Sequence, residues 1–392
     1  MSGLYGTPAK VLIVHDDGNI HDNPTLSQLI ETLLSRGLEL ELWHTSPREP
    51  LDHEGVHTIA RPVWFRRAKT LMLDHISVGP LADAVFGVWA ARLVTKRPQL
   101  VIGVDRRGLT EGALLARMFR VPLLFVSFEI LFQHEMGARF KSVERRAARY
   151  ASSWIVQDPE RMLLCAVENG LAIDSAQILP LGSAGPGSSP PECRLRDLVG
   201  IPPDKKVAAM IGSVDNWTMV SEIVDSSDYW PDDWVLLIHQ RYGDSEQRLR
   251  AYGLDDHLGN GRVYCSQGAV KSLEGMSEIL AGVNLGLAFY NPVGPPLLGL
   301  NIKHIGRSSG KVATFTRHAV PVATNVTGIL RHDLEEFCAG VHVSSPFELG
   351  GMLSHFNGFA TPEGALRYFT DVLDFELYRD DFVLMAERLL DR

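Results

Sequence analysis

Residues 301–328, NIKHIGRSSGKVATFTRHAVPVATNVTG, read as a loop, a helix and a strand in that order. Gly306, Ser308, Ser309 and Gly310 form a small-residue loop, KVATFTRH carries helical spacing, and PVATN is a short buried strand. A small-residue loop opening a helix turns free backbone N–H groups and the positive end of the helix dipole towards an anion. Lys311, in the first turn, adds a point charge suited to a diphosphate, with Ser308 and Ser309 beside it and Arg307 as a further cation. The plainer alternative is a well-capped connection between helix and strand. A P-loop is excluded: the spacing from Gly306 to Gly310 is one residue short, and Val312 stands where a hydroxyl must hold magnesium.

Outward from this segment the same alternation repeats. The second half carries strand candidates VAAMIG (207–212), WVLLIH (234–239), RVYCSQ (262–267), LGLAFY (285–290), PVATN (321–325) and GVHV (340–343). The first half carries VLIVH (11–15), LELELW (38–43), QLVIGV (99–104), PLLFVSF (122–128) and SSWIVQ (152–157). Between them lie helical patterns, clearest in NPTLSQLIETLLSRGL, where Leu26, Ile30, Leu33 and Leu34 share a face and Asn23 or Thr25 can cap. Apolar strands alternating with helices predict parallel sheets covered on both faces. The proline- and glycine-rich stretch PLGSAGPGSSPPE (180–192) interrupts the pattern. The expected fold class is α/β, two Rossmann-like doubly wound parallel-sheet domains facing a cleft. The expected boundaries are an N-terminal domain over 1–183, a linker over 184–200, a C-terminal domain over 201–374, and a helix over 375–392 packing back on the first domain.

Composition narrows the function classes. The chain has 392 residues, 38 basic against 47 acidic, and a net charge of −9. That balance argues against nucleic acid as a partner. Cys165, Cys193, Cys265 and Cys338 make no CxxC pair, so they read as free thiols rather than a zinc site. The chain runs from MSGLYGTPAK directly into a strand with no apolar signal core, and the uncharged run from Ile279 to Ile302 is broken by Pro292, Pro295 and Pro296. A cytoplasmic protein is expected.

In open parallel sheets ligands bind beyond the carboxyl ends of the strands. In the second half those ends supply Gly212 and Ser213, where backbone N–H groups can meet a phosphate or form an ordinary turn. They also supply Arg241, a guanidinium for phosphate or a loop arginine beside Asp244, and Tyr290, which stacks on a sugar or base or seals the top of the sheet. In the first half they supply His15, Asp17 and Gly18 after the first strand, Asp105 after QLVIGV, and Glu129 after PLLFVSF. His15, Asp105 and Glu129 compete as the base that takes a proton from a hydroxyl. For Asp105 the alternative is an ion pair with Arg106 or Arg107. The run 61–97 joins aromatics to Arg and Lys, suiting either contact with an anionic membrane or two helices covering the sheet.

The order SSGKVATFTRHAVPVATN, with MIGSVDNWTMV, VLLIHQRYGD and RVYCSQGAVKSLEGMSEILAGVNLGLAFY upstream and GVHVSSPFELGGML downstream, resembles the donor-binding domain of GT-B glycosyltransferases, in particular the family-4-like group. The first half, through VLIVHDDGNIHDNPTLSQLIETLLSRGLELELW and VERRAARYASSWIVQDPERM, is similar to the paired acceptor domain, so the resemblance covers nearly the whole chain. It implies transfer of a sugar from a nucleotide diphosphate sugar, such as a UDP- or GDP-sugar, to the hydroxyl of a carbohydrate, lipid-linked or small-molecule acceptor. No cofactor beyond the nucleotide sugar is expected, and protein cations and helix dipoles are expected in place of a bound metal. A GT-B epimerase or phosphorylase and a non-catalytic GT-B subunit are the alternatives. The sequence departs from the family at the two glutamates usually found eight positions apart. With Pro321 in register these positions hold Gly306 and Thr314. The usual Arg/Lys pair after the first donor-domain strand is absent too, GSVDNWTMV offering only Ser213 and Asn216. Retention or inversion stays open.

Overall fold

Runs of branched and long aliphatic residues without charge are covered on both faces when they form strands, and the parallel strands here are built from such runs. The computed structural model describes residues 9–15, 23–44, 55–60, 94, 96–187, 199–241, 243–266, 273–294, 297–356 and 360–392. The chain divides into two units: Met1–Ser183 with Pro295–Asn301 and Phe375–Arg392, and Ala184–Gly294 with Ile302–Asp374.

The first unit holds a seven-stranded sheet in the order β3-β2-β1-β4-β5-β6-β7. Its strands are β1 (Lys10–Val14), β2 (Glu39–His44), β3 (Val56–Ala60), β4 (Leu100–Val104), β5 (Leu123–Val126), β6 (Ala151–Val156) and β7 (Ala176–Ile178), all parallel. The edge strands β3 and β7 are absent from the runs that the sequence singles out. An edge strand is covered incompletely, so VHTIA and AQI carry polar residues that mask the apolar signal. Helix α1 (Pro24–Ser35) is capped by Asn23, whose Oδ1 accepts from the Leu26 N–H at 3.0 Å. Thr25, the other candidate cap, accepts instead from the Gly182 N–H at 2.9 Å. Leu34 is only half-buried, whereas Leu29 joins Leu26, Ile30 and Leu33 in the core.

Strand order reverses between β1 and β4, where the crevice of a doubly wound sheet forms. Helix α2 (Asp105–Phe119) starts there and crosses the sheet at backbone contact. A Cβ on Gly108 would lie 2.3 Å from the Val14 carbonyl oxygen, so only glycine fits. Helices α3 (Ala138–Ala148) and α4 (Pro159–Asn169) follow, the latter capped by Asp158, which accepts from the Arg161 N–H at 2.8 Å.

The second unit holds a six-stranded parallel sheet in the order β10-β9-β8-β11-β12-β13. The strands are β8 (Lys206–Gly212), β9 (Trp234–Gln240), β10 (Val263–Cys265), β11 (Leu285–Ala288), β12 (Val322–Thr324) and β13 (Gly340–His342), matching the expected runs to within two residues at each end. One face packs Ala208, Met210, Leu236 and Ile238 against Val220 and Ile223 of α5 (Val220–Ser226). On the other, Phe315 of α6 (Gly310–Arg317) presses on Gly286, where an added Cβ would lie 2.4 Å from the ring. Helices α7 (Ile329–Glu336) and α8 (Pro362–Tyr368) also belong to this unit.

The final helix, α9 (Glu376–Leu390), belongs to the first unit. It buries Phe382, Val383, Ala386 and Leu389, and its Met385 sulfur accepts from the Ser153 hydroxyl on β6 at 3.1 Å. Among the described residues no helix is long and apolar enough to cross a membrane.

Candidate functional site

In the second sheet the order reverses between β8 and β11, and the residues following these two strands meet the start of α6. Gly212 ends β8 at a φ of +87°, a left-handed turn that glycine adopts without strain. Ser309 caps α6: its Oγ accepts from the Val312 N–H at 3.2 Å, and its carbonyl accepts from the Ala313 N–H at 3.1 Å. The N–H groups of Gly310 and Lys311 bond no group among the described residues, as the first turn of a helix allows. The sequence-predicted Ser308, Ser309, Gly310 and Lys311 therefore come together with Gly212 and Ser213 at one strand-end crevice.

Lys311 extends across this crevice. Its Nζ lies 3.4 Å from the Ser213 carbonyl oxygen, 6.0 Å from the Trp217 ring centre and 5.9 Å from that of Tyr290. The side chain is only 9% exposed and has no acidic partner among the described residues. Burial pulls its ammonium down to about 7. An ammonium desolvated beside a carbonyl and two ring faces has no counter-charge among the described residues to offset its burial.

Tyr290 is clamped from both sides of its peptide, its N–H donating to Asn325 Oδ1 at 2.9 Å and its carbonyl accepting from Asn325 Nδ2 at 2.8 Å. Its hydroxyl is 2.6 Å from Ser309 Oγ, and burial holds the phenol well above its ordinary range. The ring is buried at the top of the sheet beside the cap of α6. Trp217 tilts against it at 5.9 Å between ring centres. Sequence reasoning did not single out Trp217 or Asn325. The available signal was position: a tryptophan in the loop after the first strand of the unit, and an asparagine ending PVATN.

Arg241 reaches the crevice through its backbone, the N–H donating to the Gly212 carbonyl at 3.1 Å. Arg307, read from sequence as an available cation, is engaged elsewhere. Its Nε and Nη2 hold both oxygens of Asp333 at 2.8 and 3.0 Å, with the Tyr368 hydroxyl at 3.1 Å on the same carboxylate. Gly306 sits in a left-handed turn at φ +46°, and Thr314 donates its hydroxyl to the Gly310 carbonyl at 2.7 Å. Neither position brings a carboxylate to the crevice.

In the first unit, Asp105 and Glu129 come together and His15 lies at the neighbouring end of β1. His15 is buried, its N–H donating to the Trp43 carbonyl at 2.9 Å. Asp105 occupies the first position of α2 at a φ of +52°, a strained backbone for a residue with a Cβ. Its Oδ1 accepts the N–H groups of Phe128 (2.8 Å) and Glu129 (2.9 Å), so the carboxylate pins the turn after β5. Arg106, offered by sequence as its ion-pair partner, instead lies 3.5 Å over the Phe140 ring. Burial first, and then the charge of Glu129, push Asp105 well above the usual carboxylate range, against the pull of Arg161. Glu129 itself is exposed.

Beneath them Arg161, 1% exposed, donates to Gln157 Oε1 at 2.9 Å, to the Phe128 carbonyl at 2.7 Å and to Asn301 Oδ1 at 3.3 Å. Asn301 Oδ1 also accepts the Ile130 N–H at 2.9 Å. Neither Arg161 nor Asn301 was singled out from sequence, since the contacts that join them to Phe128, Ile130 and each other span 33 to 171 residues. Asp17, Gly18 and nearly all of the run 61–97 lie outside the described residues. Among the described residues no group of three or more His, Cys, Asp or Glu side chains is arranged to hold a metal.

Asp105→Asn is expected to fold. Asparagine keeps the Oδ1 acceptor and tolerates positive φ. Because the folded carboxyl titrates above its unfolded value, the parent loses stability as pH rises from about 4 through the raised folded value. The variant should lack that loss and match or exceed the parent at pH 7 in thermal unfolding. An unfolded variant would show that the charge, not the acceptor, holds the turn.

No protein-family model and no curated protein sequence matches the chain. Solved structures do. The chain covers 97% of itself and 99% of Anabaena Alr3699/HepE in complex with UDP and glucose, at a TM-score of 0.70 and 14% identity. It aligns over 98% of itself and 100% of sucrose-phosphate synthase from Thermosynechococcus elongatus, at a TM-score of 0.72 and 15% identity. It aligns over 98% of itself and 99% of a glycosyltransferase from Rickettsia africae, at a TM-score of 0.73 and 11% identity. At these identities the likeness shows the fold, and that fold is GT-B.

Proposed function

We propose that this GT-B chain is a glycosyltransferase that moves a sugar from a nucleotide diphosphate sugar to an acceptor hydroxyl. The donor binds the second unit through Gly212, Ser213, Arg241 and the start of α6. The observation that carries the reading is Lys311, a buried ammonium with no acidic partner among the described residues, set where the strand order reverses. As the sugar leaves, negative charge grows on the diphosphate. A desolvated ammonium and the free N–H groups of Gly310 and Lys311 stabilise that charge without reorganising. The HepE structures in complex with UDP, and with UDP-glucose, support a uridine nucleotide as the first ligand to test.

The acceptor falls to the first unit. Glu129, exposed at the turn pinned by Asp105, is the carboxylate placed to take the hydroxyl proton; Asp105 holds its backbone, and His15 stands at the adjacent strand end. The run 61–97, which joins aromatics to Arg and Lys in sequence, has the composition that contact with a lipid-linked acceptor would need. A second reading, a subunit that binds the donor without transferring it, draws on the lack of a carboxylate at Gly306 and Thr314.

The test is thermal unfolding with UDP, GDP and their sugars, followed by product analysis with acceptor extracts. A ligand that binds only the folded state raises the melting temperature. Binding without transfer or hydrolysis favours the second reading, and no shift with any nucleotide overturns both.

Binding should also depend on pH. The free lysine titrates at about 7, and a bound diphosphate favours its charged form, so above pH 7 each nucleotide takes up a proton. Affinity should fall above pH 7, approaching about tenfold per pH unit. Calorimetry at pH 8 in buffers of different ionisation enthalpy should report close to one proton taken up; zero uptake would remove Lys311 from the site.

A further inference from the structure

The second unit carries one more buried polar group that the donor reading leaves unused. His239, near the end of β9, is 1% exposed, and its Nε2 has no hydrogen-bond partner among the described residues. Leaving a buried ring nitrogen unpaired forfeits its hydration without return, so such a group in a folded protein calls for an explanation.

Register locates it. Gly286, Ala209 and Leu237 are paired across β11, β8 and β9, and side chains at paired positions of parallel strands share a face. His239, two residues beyond Leu237, is therefore on the face where Phe315 covers Gly286. That is the face under α6, the helix that also carries Lys311. Ile211 pairs with His239, so the imidazole stands one strand from the turn Gly212–Ser213, and Ser266 after β10 stands two strands away. Strands are spaced about 4.8 Å apart, so the ends of β9 and β10 lie roughly 5 and 10 Å from the diphosphate position, the span of a nucleoside.

Ser266 is the partner that sets the tautomer. His239 Nδ1 and Ser266 Oγ are 2.7 Å apart, and Oγ also reaches the Ile238 carbonyl at 3.4 Å. With the hydroxyl proton directed to that carbonyl, Oγ accepts from Nδ1–H and Nε2 keeps its lone pair; with the proton directed to Nδ1, Nε2 would be the donor and a preference for cytosine and adenine would follow. Burial, with Arg241 nearby, keeps the ring neutral by pulling it down to about 4.

We propose that His239 selects the base of the donor nucleotide, its Nε2 accepting a ring N–H from uracil N3 or guanine N1. Cytosine and adenine carry a lone pair at the matching position and would set acceptor against acceptor. This proposal rests on the donor reading above. A site built to pair one hydrogen bond rejects the ligand that cannot make it far more strongly than a size-matched apolar pocket does.

The test compares UDP with CDP and GDP with ADP by calorimetry, with inorganic pyrophosphate as the base-free probe. The parent should prefer the N–H-bearing base of at least one pair by at least about tenfold. His239→Leu should bring that preference to about threefold or less while pyrophosphate affinity is unchanged. Where His239→Leu does not fold, Ser266→Ala decides, since losing the group that sets the tautomer should also reduce the preference. A parent indifferent to the base, or a preference surviving both substitutions, overturns the proposal. If no nucleotide binds and Lys311→Ala changes nothing, the donor reading itself has failed. If binding depends on Lys311 while base preference ignores His239, only the present inference has.

Discussion

Lys311→Ala is expected to weaken nucleoside diphosphate binding by about 1.5–3 kcal/mol, the range for a hydrogen bond to a charged group. The expectation rests on a position that is unfavourable without ligand. A cation at the second residue of a helix faces the positive end of the dipole, and here it is desolvated as well, with the Ser213 carbonyl at 3.4 Å and two ring faces to receive it among the described residues. Its folded value of about 7 lies below the ordinary 10.5. The penalty is therefore complete below pH 7 and disappears as pH rises towards 10.5. Lys311→Met, which keeps the packing, should accordingly melt higher than the parent without ligand at pH 6, and the gap should close by pH 10. A variant that binds nucleotide like the parent, or that unfolds without ligand at pH 6, would show that the lysine serves the fold.

Arg161→Leu is expected to lower the stability of the first unit by about 3–5 kcal/mol, the loss seen when one partner of a buried charged network is removed. Burial itself disfavours the guanidinium, and it is held charged first by Asp158, then by Asp105 and Glu129. Without it the Phe128 carbonyl and Gln157 lose donors, and buried carboxylates lose their counter-charge. Urea unfolding should show a lower midpoint with an unchanged slope; a midpoint within experimental error of the parent would mean that the network contributes nothing.

The central strands were legible because each is a continuous apolar run buried on two faces, as in VLIVH and WVLLIH. The edges β3 and β7 were not, because partial cover removes the need for such a run. Lys311 was legible for a local reason: four small residues and a helix start identify its setting within one segment. Arg307 looked equivalent in sequence, yet Asp333, 26 residues away, neutralises it. Tertiary pairing of this kind leaves no local trace, and the same holds for Asn301 beneath Arg161 and for Ser266 beside His239. The sequence also suggested arginine partners for Asp105, whereas its partners are backbone N–H groups contributed by a loop more than 20 residues on.

The assignment of Phe375–Arg392 to the first unit bears on how the chain is made. On a ribosome the segment up to Ser183 emerges well before the helix that completes its unit, with Phe382, Val383, Ala386 and Leu389 on the buried side. Roughly 190 residues separate the two, a delay of roughly 10–40 s at ordinary elongation rates. For that interval the nascent first unit presents an uncovered apolar stripe, while the second unit, continuous but for the excursion at Pro295–Asn301, needs nothing beyond Asp374. The first unit is thus completed after the second, and through that interval it is the unit more exposed to chaperone capture and aggregation.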